Sequence, residues 1–149
     1  MNPLKLFVFA SLALFMSNSA LSQTENHKDF GDYRVHFSLF NSSFLPEAVA
    51  AGYGFVRANN RGILNIAATE IAAGGNSRGL PIQIKGEFTN LLQQKTSLDF
   101  VPVEEKDAVY YLSEFKFNDQ EVMNFTIHVL LPGQQRSNTV TFSKSLYRD

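Results

Sequence analysis

From Tyr33 to Leu39 apolar and polar residues alternate: Tyr33, Val35, Phe37 and Leu39 on one parity, Arg34, His36 and Ser38 on the other. A period of two puts each set on its own face of an extended chain and predicts a half-buried β-strand. Six further runs predict strands. Ile63–Ile71 is apolar on both parities at its start, as in a strand in mid-sheet, although periodicity alone leaves a helix open there. Ile82–Asn90 alternates, and Gly86 at its centre marks a bulge or the close approach of another chain. Ser97–Glu104 follows, sent towards a sheet edge or a bulge by Pro102. Val109, Tyr111, Ser113, Phe115 and Phe117 share one face of the next run. In Val122–Leu131 the face of Met123, Phe125, Ile127, Val129 and Leu131 opposes Asn124, Thr126 and His128. Val140, Phe142 and Leu146 mark the last strand.

Between these runs the chain punctuates itself. Gln23–Asp29 is polar and reads as a frayed tail. Pro46–Ala51 predicts a short helix: proline suits the first position, Glu47 the positive end, and Gly52 or Gly54 can stop it. Such a helix caps one end of a sheet in this reading and leads into Arg57-Ala58-Asn59-Asn60-Arg61-Gly62. Asn59, Asn60 and Gly62 tolerate left-handed backbone angles, so a tight turn is expected there. Gly74–Gly79 is a loop by its glycines, Asn76 and Ser77. Seven alternating strands with short connections and one small helix predict an all-β fold, an antiparallel immunoglobulin-like sandwich in a single domain. With no cysteine pair and no tryptophan, fibronectin-like relatives fit better than antibody domains.

The amino-terminal segment changes the picture of where this domain works. Lys5 precedes the apolar run Leu6–Met16, and small residues lead to Ala20-Leu21-Ser22. That order predicts a secretory signal over residues 1–22 with cleavage before Gln23, leaving 127 of 149 residues as the domain 23–149. The run is shorter than the roughly 20 residues of a membrane span, so no stable membrane insertion is expected after cleavage. Lys5 is the leader's only charge. Its removal takes 13 basic residues to 12 against 14 acidic ones, a net charge of −2. So balanced a chain gives no electrostatic case for nucleic acid or anionic lipid. Without cysteine, stability in an oxidising compartment rests on the apolar core alone.

Phe30–Phe37, Phe44–Val49 and Arg57–Ile66 resemble a bacterial exported family catalogued as domain of unknown function 4426, with Asp107–Tyr111 a fainter likeness. The resemblance implies a periplasmic β-sandwich from a Gram-negative bacterium. It carries no activity, cofactor or site residue with it.

Candidate chemistry is sparse. A thiol nucleophile is absent for want of cysteine, and no His-x-His or Glu-x-x-His spacing supports a metal, so no cofactor, metal site or enzymatic activity is expected. His36 and His128 sit on outward parities and could in principle meet a carboxylate. Gly74–Gly79 lacks the Lys-Ser/Thr ending of a phosphate loop. Polar side chains crowd together beside strongly apolar sequence only at Arg57, Asn59, Asn60 and Arg61. Two readings stand side by side. In one, the asparagines make a turn and the arginines pair with neighbouring carboxylates or carbonyls. In the other, the four form a recognition patch at one end of the sandwich. The function expected is a non-catalytic periplasmic binding or interaction module for a protein or small ligand. An accessory, chaperone-like protein is the alternative, with a small hydrolase or metal-dependent enzyme behind it. A strand added at an edge near Pro102 and Gly86 is one route to such an interaction.

Overall fold

In the computed structural model, which describes residues 26–74 and 77–149, two antiparallel sheets face each other. The predicted leader and its cut before Gln23 lie outside the described residues, as do Gly75 and Asn76. The strands are β1 (His27–Phe30), β2 (Tyr33–Asn41), β3 (Arg61–Glu70), β4 (Gln83–Thr89), β5 (Lys95–Leu98), β6 (Val101–Glu105), β7 (Ala108–Lys116), β8 (Glu121–Leu130) and β9 (Asn138–Leu146). A 3-10 turn, Ser42–Phe44, and helix α1, Glu47–Tyr53, follow β2. The larger sheet runs β1-β2-β3-β7-β6 and the smaller β5-β4-β8-β9. With β1 set aside, these are the A-B-E-D and C′-C-F-G orders of an immunoglobulin-like sandwich. No helix among the described residues is long and apolar enough to cross a membrane.

The alternation sets the core. Val35 of β2, Leu64, Ile66 and Ala68 of β3, and Tyr111 and Phe115 of β7 meet Phe88 of β4, Met123, Phe125, Ile127 and Val129 of β8, and Val140 of β9. Phe142 stacks on Phe125 with ring centres 5.0 Å apart and on Phe37 at 4.6 Å, tying β9 to both sheets. The buried hydroxyl of Tyr111 accepts the N–H of Ile82 at 2.9 Å, anchoring the entry to β4.

A second, smaller core lies on the outer face of the larger sheet. Ile63 and Leu112 on that face, with Val103 of β6, are covered by Leu45 and by Val49, Ala50 and Phe55 in and after α1. The helix therefore lies across the sheet's outer face rather than capping its end. This is why β3 begins apolar on both parities: Ile63 serves the outer core and Leu64 the inner one. Gly54, with φ +75°, ends the helix in the left-handed conformation.

Among the described residues nine strands replace the seven expected. β1 was hidden by its polar sequence; Gly31, with φ +60°, is the first of two turn residues and makes the hairpin to β2. Ser97–Glu104 divides at Asp99-Phe100, where the chain crosses from β5 in one sheet to β6 in the other. Pro102 does lie on an edge strand. Gly86 lies in mid-sheet with regular partners on both sides, and its missing side chain leaves room for Ile127, whose Cδ1 would stand 2.6 Å from a β-carbon there. Gly62 is likewise a packing glycine inside β3. Neither it nor Asn59 nor Asn60 has a positive φ, and a β-carbon at Gly62 would stand 2.4 Å from the Phe115 ring.

Candidate functional site

Of the four polar residues singled out by sequence, Arg57 and Arg61 form part of the clasp that holds α1 down. The Arg57 guanidinium donates to the Glu47 carboxylate at 3.1 Å and to the Ser43 carbonyl at 3.0 Å, linking the end of the excursion to its start. Arg61 pairs with Glu114 across the outer face, and the other Glu114 oxygen accepts the Val56 N–H at 2.6 Å. Fully buried Ser42 bonds both the N–H and the carbonyl of Ala58. The Asn60 carbonyl accepts the Phe117 N–H at 3.0 Å, while the Asn59 side chain is exposed. The arginines are thus brought to carboxylates of the same chain, one on α1 and one on β7.

Beyond the reach of α1 the outer face of the larger sheet stays open and forms a cleft of about 370 Å³. Its floor is β3, with Asn65, Ala67 and Thr69; β2 contributes His36 and Ser38 on one side and β7 contributes Ala108 and Tyr110 on the other. Ser77–Gly79 forms part of the far rim, fixed to the strand by the Gly79 N–H donating to the Asp107 carbonyl at 2.8 Å. Ala67, opposite His36 in register, gives the cleft its depth because its side chain is a single methyl.

The lining is more apolar than polar, with a few polar groups set into it. His36 Nε2 lies 2.9 Å from Thr69 Oγ1. Partial burial, and after it the facing His27 and Arg34, hold the His36 imidazole below its ordinary range, so it is neutral at pH 7. Asp107 stands at the rim near Arg78, their closest atoms 3.4 Å apart. Asn65 Oδ1 is buried and has no hydrogen-bond partner among the described residues. A buried acceptor left unpaired costs on the order of 1–3 kcal/mol, so it marks where a donor is missing. An asparagine inside the apolar run Ile63-Leu64-Asn65-Ile66 was the sequence signal for this position, and sequence reasoning passed over it.

His36 and His128 do not converge. His128 lies on the outer face of the smaller sheet, where its Nδ1 is 3.1 Å from Thr139 Oγ1. Among the described residues no three His, Asp or Glu side chains gather around one point.

A family model described as "Domain of unknown function (DUF4426)" matches residues 27–149. The chain belongs to that family. A DUF4426 protein from Pseudomonas aeruginosa PAO1 has a similar crystal structure, with a TM-score of 0.74 at 33% identity, covering 85% of this chain and 98% of that one. Two structures of FetP from uropathogenic Escherichia coli strain F11 share the DUF4426 chain's fold. A copper-bound variant gives a TM-score of 0.59 at 14% identity, covering 82% of this chain and 94% of its own. The as-isolated protein, expressed in the periplasm, gives 0.57 at 13%, covering 82% and 93%. At that identity the likeness is one of fold. No curated protein matches the sequence.

Proposed function

We propose that this DUF4426 protein is an exported, non-catalytic binding module that takes a small polar ligand into the cleft between His36, Asn65 and Tyr110. The observation that carries this reading is the unpartnered, buried Asn65 Oδ1 in a concave site. A turn of the Asn65 amide would present this oxygen to the cleft, where a ligand N–H or O–H supplies the missing bond, while Thr69, Ser38 and neutral His36 offer further polar contacts. The volume lies at the lower end of the roughly 300–1,000 Å³ of small-molecule sites, which suits a compact metabolite. Export is supported by the basic, apolar, small-residue order of residues 1–22, and the periplasm is the compartment proposed.

The experiment is a thermal-shift screen of amino acids, amines, amides and small sugars against wild type and Asn65→Leu. The expected result is a compound that raises the melting temperature of wild type and not of the variant, with Arg57→Ala responding as wild type. If every stabilising compound acts equally on Asn65→Leu, or none acts on wild type, the cleft is not the binding site.

A further inference from the structure

At the margin of the same face, His27 and His36 stand directly opposite each other in the β1–β2 ladder. The Phe37 N–H donates to the Asn26 carbonyl at 2.8 Å, so residues 26 and 37 form a hydrogen-bonded pair. The next pair, His27 with His36, is then a non-hydrogen-bonded one, the kind in which facing side chains stand closest. Both imidazoles project from the outer face, with ring centres 6.2 Å apart and planes inclined at 50°. Two imidazoles on one ion, each nitrogen about 2.0–2.1 Å from it, have centres roughly 5–6 Å apart, so small side-chain rotations bring this pair into range.

We infer that His27 and His36 form a two-imidazole site for a late first-row transition cation, Cu²⁺ above all. Each ring already has one nitrogen directed to an oxygen of its own chain. His36 Nε2 lies 2.9 Å from Thr69 Oγ1, leaving Nδ1 as a ligand, and His27 Nδ1 lies 3.4 Å from Asn26 Oδ1, leaving Nε2. Such outer partners fix ring orientation around a metal. Imidazole ligands suit copper, zinc and nickel, and the order of divalent affinities peaks at Cu²⁺. The charges nearby are balanced. Asp29 shares the face two residues along, its carboxylate taken by Arg34 at 2.6 and 2.9 Å, so the pair adds little repulsion to an arriving cation. Two protein ligands leave the remaining positions to water, which makes this a weak, exchangeable site. It shares His36 with the cleft and differs from the proposed ligand site in using His27 and not Asn65.

The test is titration of the exported chain with Cu²⁺, followed by calorimetry and by electron paramagnetic resonance. One ion per chain is expected, with hyperfine structure from two imidazole nitrogens. His27→Ala and His36→Ala should each weaken binding at least tenfold, while His128→Ala and Asn65→Leu bind as wild type. Unchanged affinity in either the His27 or the His36 variant, or a spectrum without imidazole nitrogen, overturns the site. Loss of binding in His128→Ala overturns it as well.

Discussion

Two residues apart on the inner face of β7, Tyr111 and Ser113 treat the core in opposite ways. The Tyr111 hydroxyl has the Ile82 N–H as its donor, whereas the Ser113 hydroxyl is buried with no partner among the described residues. Tyr111→Phe should therefore lower unfolding free energy by about 1–3 kcal/mol, because it strands a buried N–H. Ser113→Ala should raise it by about 1 kcal/mol, because a polar group leaves an apolar site. Urea denaturation of both variants measures these directly, and opposite signs are the expected result. Asn65 belongs to the same class as Ser113 in its lack of a partner and differs in place: Ser113 faces the sealed interior and Asn65 an open cleft. From sequence, Ser113 is visible as one polar residue on an apolar parity, but nothing in the chain says which orphan faces solvent space.

The α1 excursion is the element that divides the outer face into a covered core and an open cleft. Its two ion pairs differ in burial. Arg61 and Glu114 keep 25% and 16% of their side-chain exposure, while Arg57 and Glu47 keep 39% and 88%. Losing Arg61 leaves Glu114 half-buried with only the Val56 N–H, so Arg61→Ala should cost about 1–3 kcal/mol. Arg57→Ala should cost less than about 1 kcal/mol, the range of solvent-screened pairs. Thermal melts rank the two, and Arg61→Ala is expected to melt lower. The strands with clean alternation, β2, β7 and β8, were legible because a two-residue period has no competing explanation there. β1 was not, because His27, Lys28 and Asp29 are held by backbone pairing with β2 rather than by burial. The crossing at Asp99-Phe100 was hidden because both halves of the run are extended, and the change of sheet lies in their partners.

For the molecule as a whole, acid should act through the ends of the domain. Arg34 bonds Asp29 in the β1–β2 hairpin and holds that carboxyl below its ordinary range. Ser43, and after it Asn41, do the same for Asp149, joining the region after β9 to the end of β2. A carboxylate lowered on folding stabilises above its unfolded value, about 3.9 for aspartate. That contribution disappears as pH falls through the folded value. Melting temperatures of wild type and Asp29→Asn should differ at pH 6 and converge towards pH 2, a trend that circular dichroism follows. The sandwich was legible at this scale because its strands carry their own pattern. The cleft was not, since Ser38, Asn65 and Tyr110 come from three strands and meet only through register. The most direct measurement is a nitrogen-15 NMR titration of the protein with whichever compound best stabilises it. Binding at the open face should shift the amides of His36, Asn65, Thr69 and Tyr110 together and leave those around Arg57 and Arg61 in place. Shifts centred on the Arg57–Gly62 segment, with the cleft amides unmoved, would contradict it.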